Sequence, residues 1–407
     1  MLVLVVNSGS SSIKYRLIDV PAGTTWAAGL IERIGEAQSH FEHRSYVENG
    51  PDAAPIVTEA TVPIADHPAG FALVNRACAP DISATGELGA VGHRVVHGGD
   101  LFAAPVVVTP EVEAAIEQLF ALAPLHNPPN LQGIQSARLA YPDVPHVAVF
   151  DTAFHQTMPP EAYTYAIDRE VAERLHIRRY GFHGTSHQYV SRQAARLLDL
   201  EPEDFDGITL HLGNGASACA VRGGCSVDTS MGLSPLEGLV MGTRSGDIDP
   251  AIVPYLVERG GMTTREVDAL LNKSSGLKGL AGHNDLREVH RLIAAGDEAA
   301  ALAFGVYTRR LTQYIGSYLA VLGRADAIVF TGGVGENDPV VRAAAVSTLR
   351  GFGVSIDHDR NHATHGPKTA VDISAADTTI RLLVVPTDEE HEIADQTLKL
   401  CETTGTT

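Results

Sequence analysis

The amino-acid sequence predicts an α/β protein of at least two domains, and three of its features lead to that prediction. Its 407 residues are enough for two or three domains of ordinary size. Apolar runs of strand length alternate with segments of helix length, as in layered folds in which helices cover a sheet. A strand–turn–strand pattern near the start of the chain recurs about 200 residues later. The hydrophobic content of 44% is sufficient for large cores.

The first predicted element pair is a β-hairpin at residues 3–20. The apolar run VLVV ends at Asn7, a turn of Gly and Ser follows, and residues 13–20 contain a second, alternating run. Residues 207–229 repeat this order around the turn GNGAS. The repetition fits a duplicated domain whose turns offer bare backbone N–H groups. It also fits coincidence, because Gly, Ser and Asn turns join most hairpins.

A third glycine-rich turn, TGGVGENDP, follows the apolar run ADAIVF (325–330). Asp338 is predicted to cap, and Pro339 to begin, a helix that runs through Arg350. A strand, a Gly-rich turn and a helix N-terminus in this order can receive a phosphate or a nucleotide. The spacing is not G-x-G-x-x-G, and the chain has no G-x-x-x-x-G-K-[ST], so neither the Rossmann fingerprint nor the P-loop applies.

The other elements also alternate along the chain. The polar stretch 36–68 is predicted to be a surface excursion, and the tail ETTGTT (402–407) to be frayed. A last helix follows the strand that ends at 387. The remaining predicted strands are 145–151 and 381–387, and the remaining predicted helices are 109–122, 186–198, 249–259, 284–294 and 297–322.

Charge and composition limit the class of partner. The net charge of −19 argues against a nucleic-acid backbone, so any anion has to be held by a local cluster of cationic groups, backbone N–H groups or Mg²⁺. No run approaches the ~18 apolar residues of a membrane span, and the opening apolar run is too short for a signal peptide. The four cysteines form no C-x-x-C pair and are predicted to be reduced thiols of a cytosolic protein.

Three stretches carry charge suited to an anion. GHRVVHGG places Arg94 at the end of a predicted strand, RYGFHGTSH contains His183, and MGTRSGDIDP contains Arg244. Arginine matches a carboxylate or phosphate with two hydrogen bonds, although each side chain also has a plain interpretation as a solvated loop charge. His183 and His187 have the spacing of zinc ligands. Because the chain has no H-E-x-x-H motif, no zinc site is predicted.

Nine motifs, taken in chain order over residues 7–393, resemble those of the acetate kinase family. The resemblance implies the fold of the actin, sugar-kinase and 70-kDa heat-shock protein superfamily, with two ribonuclease-H-like domains facing across a nucleotide cleft. The implied domains are 1–154 with 388–407, and 155–387. The motifs are VNSGSSSIKY, GHRVVHGG, LAPLHNPPN, FDTAFHQTMP, RYGFHGTSH, HLGNGAS, DTSMGLSPLEGLVMGTRSGDIDP, FTGGVGEN and PTDEE.

The resemblance also implies an activity: ATP + acetate ⇌ ADP + acetyl phosphate, with Mg²⁺ (or Mn²⁺ in its place), in a cytoplasmic homodimer. It assigns the catalytic centre to Asp151, His183 and Arg244, and the metal to Asn7 and Glu389. The implied substrate residues are Arg94, Val96, Leu125, Phe182 and Pro235. The implied nucleotide residues are Ser10, Ser12, Lys14, His211, Leu212, Gly213, Asn214, Gly215, Asp285, Leu286, Arg287, Gly333, Val334, Gly335, Glu336 and Asn337.

A carboxylate acceptor needs no general base, because small carboxylic acids titrate near pH ~4–5 and are ionised at pH 7. The task is to bring one anion up to another and hold the reacting oxygens in line. Arg94 would fix the acceptor, while Arg244 and His183 would stabilise the transferring phosphoryl group. For Asp151 we expect an orienting role, through Mg²⁺-bound water or an arginine. The alternatives are an acid/base role and a purely structural strand-end cap.

Three other functions compete with this reading. A propionate kinase would share the motifs. A nucleotide-gated binding protein of the actin or heat-shock type would leave Arg94, His183 and Arg244 without a second anion to serve. A sugar kinase would want a carboxylate base for a hydroxyl acceptor, whereas Arg94 suits an anion.

Overall fold

The computed structural model describes residues 1–51 and 53–405. The chain divides into two compact units. Unit 1 consists of Met1–Ala153 and the chain from Asp388 onward, and unit 2 consists of Phe154–Thr387. One sheet lies in each unit, with eight strands in unit 1 and six in unit 2. Unit 1 is therefore built from two separate parts of the chain.

Unit 1 is a mixed sheet with helices on both faces. The sheet order is β5-β4-β3-β2-β1-β6-β8-β7, in which β1, β6 and β8 are parallel. Its strands are β1 (Leu2–Gly9), β2 (Ser12–Asp19), β3 (Thr24–Glu32), β4 (Ser39–Ser45), β5 (Ile56–Val62), β6 (Leu88–Val95), β7 (Val106–Val107) and β8 (His146–Phe150). Its helices are α1 (His67–Thr85), α2 (Pro110–Gln118), α3 (Asn127–Ala140) and α15 (Glu389–Thr404).

Strand β1 is buried on both faces, which explains its unbroken apolar sequence. Leu4 and Val6 belong to a core cluster with residues of α1 and α3. Val3 and Val5 belong to a different cluster, on the opposite face. The predicted hairpin is present as β1 and β2, with Asn7 directly opposite Lys14.

Helix α15 covers the second face of this sheet, and it comes from the far end of the chain. Its residue Ile393 is buried in the same cluster as Val3 and Val5. Gly92 in β6 permits this close approach, because a Cβ built there would lie 2.6 Å from Thr397 Oγ1. The helix continues to Thr404, so the predicted frayed tail begins helical; its last two residues, 406–407, lie outside the described residues.

The stretch 36–68 lies largely at the surface, as predicted, but it is not an excursion from the fold, because two strands of the sheet lie within it. Strands β4 and β5 pair there as the edge of the sheet, with Ser39 opposite Val62. The stretch is polar because β5 is exposed or half-buried throughout, as suits an edge strand. Strand β4 alternates instead, with Phe41 and His43 buried. Residue 52, within the predicted excursion, lies outside the described residues.

Unit 2 has the sheet order β11-β10-β9-β12-β14-β13, in which β9, β12 and β14 are parallel. Its strands are β9 (Gly207–Leu212), β10 (Ala216–Arg222), β11 (Cys225–Thr229), β12 (Ala327–Thr331), β13 (Val371–Asp372) and β14 (Arg381–Val384). Its helices are α4 (Pro160–Tyr163), α5 (Arg169–Arg174), α6 (Gly184–Leu197), α7 (Ile252–Gly260), α8 (Thr264–Lys273), α9 (Gly276–Ala281), α10 (Leu286–Ala294), α11 (Glu298–Leu322), α12 (Gly332–Asn337), α13 (Pro339–Val346) and α14 (His358–Ala363).

The glycine-rich segment after β12 is not the open turn that the sequence suggested. It forms the short helix α12, which begins at Gly332 immediately after the strand. Gly332 has φ 76°, and a Cβ there would lie 2.8 Å from the carbonyl oxygen of Leu212, so a glycine is needed. Asp338 and Pro339 cap and begin α13 as predicted, but that helix ends at Val346 rather than Arg350.

The mixed α/β class with two sheets is confirmed. The helices predicted at 186–198, 284–294 and 297–322 are close to their observed bounds, whereas the long helices α1 and α3 were not predicted. Helix α11 is capped by Asp297 and ends at Gly323 in a left-handed conformation. Helix α8 was missed, although Thr263 and Glu266 form a capping box at its start. Over residues 1–51 and 53–405, no helix is both long and apolar enough to cross a membrane.

Candidate active site

Arg94 and Asp151 form the centre of the candidate site in unit 1. Parallel neighbours β6 and β8 place both residues at their carboxyl ends. Arg94 Nη2 donates to Asp151 Oδ2 at 2.6 Å, and Arg94 Nε donates to Oδ1 at 3.1 Å. The Asp151 side chain is only 2% exposed, compared with 22% for Arg94. The carboxylate therefore holds the guanidinium in one orientation.

A second carboxylate lies close to Arg94. Glu389 Oε2 is 3.9 Å from Arg94 Nε, at the first turn of α15. Burial by itself would lower the pKa of Arg94, but the charges of Asp151 and Glu389 outweigh it and raise that pKa above its ordinary value. Arg94 is therefore a permanent cation that two carboxylates restrain.

The loop that follows Arg94 is held by the start of α3. Asn130 Oδ1 accepts from the Val96 backbone N–H at 3.0 Å, and Asn130 Nδ2 donates to the Ser8 carbonyl at 2.7 Å. Asn127 makes a similar pair of hydrogen bonds with the His97 backbone. Both asparagines belong to the motif LAPLHNPPN, and no role was predicted for them. The sequence feature that could have indicated this role is the pair of Asn side chains in the first turn of one helix.

The hairpin tip of unit 1 presents small polar residues. Ser10 is exposed and Ser12 half-buried, and His67 Nε2 hydrogen-bonds to the Gly9 carbonyl at 2.9 Å. Asn7 and Lys14 are directly opposed across the hairpin, so their side chains project from the same face of the sheet. An exposed tip of this kind leaves backbone N–H groups and an ammonium accessible to phosphate oxygens.

Asn7 and Glu389, the predicted metal ligands, both lie in unit 1. Their side chains offer an amide oxygen and a carboxylate oxygen, which are the donors that Mg²⁺ takes. Among residues 1–51 and 53–405, no three His, Cys, Asp or Glu side chains are grouped as a cation cage. Two oxygen donors fit a Mg²⁺ that keeps several waters and is also bound by substrate phosphates.

His183 and Arg244 come together in unit 2. A Cβ built on Gly215, in the turn of the β9–β10 hairpin, would lie 3.5 Å from Arg244 Nη1 and 3.7 Å from the His183 ring. Arg244 Nη1 also donates to the Pro235 carbonyl at 3.1 Å, and burial lowers the pKa of Arg244. His183 has a φ of 57° at the N-cap of α6. A left-handed non-glycine residue is a local strain typical of functional sites.

Hydroxyl groups connect the histidines around this centre. Ser217 Oγ lies 2.9 Å from His183 Nδ1 and 2.7 Å from His187 Nε2. His211 stacks on His183 with ring centroids 4.3 Å apart, and its Nδ1 is 2.8 Å from Ser186 Oγ. Ser217 was not predicted to be a site residue, because only the pairing of β9 with β10 brings it to His183.

The predicted nucleotide residues of unit 2 lie mainly at the carboxyl ends of its parallel strands. His211 is the register partner of Thr331, so the start of α12 lies beside the end of β9. Glu336 Oε1 accepts from the backbone N–H groups of Gly332 at 2.9 Å and Thr387 at 3.1 Å. The Glu336 carboxylate therefore holds α12 in place.

A second group of these residues surrounds the turn of the β9–β10 hairpin. Asn284 Nδ2 donates to Asn214 Oδ1 at 3.2 Å, which ties the segment before α10 to the turn. Asp285 caps α10, and its carboxylate accepts hydrogen bonds from both Nε and Nη2 of the exposed Arg287 side chain. The residue before the N-cap of α10 is thus placed beside Asn214.

The predicted substrate residues divide between the units. Val96 is half-buried and Leu125 is 72% exposed, both in unit 1. Phe182 is 3% exposed and Pro235 is half-buried, both in unit 2. Pro235 is joined to the catalytic candidate Arg244 through its carbonyl.

The two sheets, one in each unit, define the class: a protein of two actin-like ATPase domains. The profile of the acetokinase family matches residues 2–395. The chain belongs to the acetokinase family, which confirms the resemblance read from its motifs.

Known relatives match over nearly the whole length. An acetate kinase of Streptomyces coelicolor is 55% identical over 409 residues, covering 99% of this chain and 98% of the relative. A crystal structure of the Porphyromonas gingivalis acetate kinase has a TM-score of 0.91 at 40% identity, over 98% of this chain and 99% of that one. A propionate kinase of Francisella tularensis has a TM-score of 0.88 at 40% identity, with the same coverage.

Proposed function

We propose that the protein catalyses the reversible transfer of the ATP γ-phosphoryl group to acetate, giving acetyl phosphate and ADP. The observation that carries the proposal is that each unit holds a fixed arginine, Arg94 in unit 1 and Arg244 in unit 2. Two anions that repel each other need two separate cationic supports. The acetate kinases that are 55% identical over nearly the full chain favour acetate as the acceptor.

Arg94 would bind the acceptor carboxylate. Asp151 engages its Nε and one hydrogen of Nη2. The end-on edge, formed by Nη1 and the second hydrogen of Nη2, suits a two-point contact with acetate. Asp151 then acts as the orienting group of Arg94 rather than as a base, because an ionised acetate has no proton to lose. Val96, Leu125, Phe182 and Pro235 would surround the methyl group.

Arg244 and His183 would stabilise the equatorial oxygens of the transferring phosphoryl group. Their shared position at Gly215 puts two donors at the tip of the β9–β10 hairpin. Asn7 and Glu389 would hold Mg²⁺, or Mn²⁺ in its place, and the metal would neutralise charge on the nucleotide phosphates when bound. The remaining candidates would bind ATP. They are Ser10, Ser12, Lys14 and the segments 211–215, 285–287 and 333–337.

We further infer a cytoplasmic homodimer. Helix α7 supports it, because the sequence IVPYLVERG is largely apolar and yet has no buried residue. Tyr255 is 66% exposed and Ile252 is 39% exposed there. An apolar helix of this kind is typical of a surface that a second copy covers.

Propionate kinase is the second candidate, because a propionate kinase structure matches at the same 40% identity as an acetate kinase structure. The test is acyl phosphate formation from Mg-ATP, trapped as hydroxamate, with acetate, propionate, butyrate and glycerol. Acetate should give the highest kcat/KM. A higher value with propionate would replace the first candidate by the second, and turnover with glycerol alone would overturn both.

A further inference from the structure

A chain of three buried side chains supports His183 from behind. Ser217 Oγ bridges His183 Nδ1 at 2.9 Å and His187 Nε2 at 2.7 Å. His187 Nδ1 in turn lies 2.7 Å from Thr209 Oγ1. Ser217, His187 and Thr209 are all 0% exposed. They come from β10, α6 and β9, so the packing of three elements fixes the arrangement.

The single hydroxyl hydrogen of Ser217 couples the positions of the hydrogens on the His183 and His187 rings. Burial, together with the neighbouring His155 and His211, lowers the pKa of His187 well below its ordinary value. His187 is therefore neutral and carries one N–H. Ser217 has a single hydroxyl hydrogen between two imidazole nitrogens. If it donates to His187 Nε2, it can accept from His183 Nδ1–H; if it donates to His183 Nδ1, that nitrogen cannot carry a hydrogen.

Only the first arrangement is compatible with a protonated His183, because the imidazolium carries a hydrogen on both nitrogens. In this arrangement His187 bears its hydrogen on Nδ1 and donates it to Thr209. Among the described contacts of unit 2, His211 stacks on His183 and Arg244 lies beside it at Gly215, and the Arg244 charge opposes an imidazolium charge. An anionic phosphoryl group would favour that charge.

We propose that His187, acting through Ser217, is a positioning residue: Ser217 donates to His187 Nε2 and accepts from His183 Nδ1–H, so that the His183 imidazolium can direct its Nε2–H to the phosphoryl group. The inference rests on the proposed function, in which His183 serves that group. It adds two residues, Ser217 and His187, to the parts on which phosphoryl transfer depends. Neither touches substrate in this assignment; both act through His183.

The decisive variant is Ser217→Ala, which removes the bridging hydroxyl. We expect kcat to fall roughly 10–100-fold, as for the loss of a hydrogen bond to a charged group, with the KM values for acetate and ATP changed less than about threefold. Ser217→Thr keeps a hydroxyl and should restore most of the activity. His187→Gln should lower kcat in the same way, which keeps the test valid if one variant folds poorly.

The matched control is Ser226→Ala. Ser226 is also 0% exposed, and its Oγ lies 2.8 Å from a histidine Nδ1, that of His155. Among the described residues, Ser226 hydrogen-bonds to neither His183 nor His187, although His155 packs edge-on against His187 with ring centroids 5.7 Å apart. We therefore expect kcat to stay within about threefold of wild type. An equal loss in Ser226→Ala and Ser217→Ala would mean that core packing, not positioning, matters, and would overturn the proposal.

A second readout does not depend on activity. In ¹⁵N-histidine protein, with resonances assigned from His183→Gln and His187→Gln, Ser217→Ala should move the His183 Nδ1 and His187 Nε2 shifts together. If the shifts do not change, or if the wild type is active and Ser217→Ala has the same kcat, this inference alone is overturned. A wild type without acyl phosphate formation would instead overturn the proposed function, while coupled shifts would still establish the link between the rings.

Discussion

Asp151 binds Arg94 side-on, through Nε and Nη2, at 3.1 and 2.6 Å. The two residues are 57 positions apart and meet because β6 and β8 are parallel neighbours. A side-on pair leaves the end of the guanidinium pointing away from its partner, so the same arginine can be held by one carboxylate and bind another.

Replacement of Arg94 by lysine should raise the KM for acetate more than it lowers kcat. An ammonium is a point charge without the planar fork, so it cannot contact Asp151 and acetate in two-point fashion at once. We expect a rise of roughly 10–100-fold in KM, in line with the loss of a charged hydrogen bond. Steady-state kinetics with acetate varied would measure it. Arg138→Lys, at an ion pair with Glu113 elsewhere in unit 1, is the control. Unchanged acetate kinetics in Arg94→Lys would rule out a two-point contact.

Asp151→Asn should reduce kcat/KM by about 10²-fold or more, because an amide presents a donor where Arg94 also donates and a buried donor is left unpaired. The pH profile should keep its shape, since an orienting carboxylate contributes no proton transfer. The measurement is kcat/KM for acetate against pH in both proteins. If a limb of the profile disappears, Asp151 is a general base and our assignment is wrong.

Arg244→Ala should lower kcat by about 10³-fold or more, the range for a cation on a phosphoryl transition state, while the KM for ATP changes far less. The side chain also donates to the Pro235 carbonyl, so Arg244→Lys should recover only part of the rate. Arg222→Ala serves as the control, because that arginine donates to the Val321 carbonyl on the surface. A raised KM with normal kcat would limit Arg244 to binding.

Acetate should exceed propionate in kcat/KM by roughly 10–200-fold, since an apolar pocket discriminates one methylene by about 1–3 kcal/mol. Val96→Ala should shift the ratio towards propionate with little change in kcat for acetate. Val107→Ala, a half-buried valine in β7, should leave the ratio as it is. No shift in Val96→Ala would remove Val96 from the pocket wall.

His290 and Asp338 should make the stability of unit 2 depend on pH. His290 Nε2 lies 2.8 Å from Asp338 Oδ2, and the hydrogen bond that it donates to this carboxylate raises the pKa of His290. Burial by itself would raise the pKa of Asp338, but the hydrogen bonds from His290 and from backbone N–H groups lower it. A raised histidine pKa contributes stability below ~6.5 that is lost as the pH rises through the folded value. A lowered aspartate pKa contributes stability above ~3.9 that is lost as the pH falls.

The contribution is thus greatest between about pH 4 and 6.5. His290→Gln should lower the Tm there by about 2–4 °C, as expected for roughly 1 kcal/mol in a unit of this size, and by less at pH 9. Thermal unfolding at several pH values would measure the difference, with the exposed His362→Gln as reference. A Tm difference that is constant with pH would contradict the ion pair's role.

Local patterns predicted the elements whose stabilisation is local. The hairpin of β1 and β2, the capped helix α11 and the Asp338–Pro339 helix start follow from periodicity and end signals. Strand β5 could not be found in this way, because it is exposed or half-buried on both faces and its polar sequence resembles that of a loop.

The sequence could not predict which distant elements pair with each other. Arg94 was identified as an anion ligand from its motif, but its partner Asp151 depends on which strands become neighbours. Ser217 looks like any small residue of a buried strand, and only the register of β10 with β9 places it between two histidines. Asn130 likewise joins Ser8 and Val96, which are 88 positions apart, through one amide group.

Helix α15 has a consequence for the order in which the protein is made. Its Ile393 completes the core around Val3 and Val5, yet the ribosome adds it only after the whole of unit 2. At ~5–20 residues per second, the intervening chain takes roughly 10–50 s to synthesise. During that time one face of the first sheet lacks its cover, while the continuous unit 2 can already fold. The nascent N-terminal segment is then the part most in need of a chaperone.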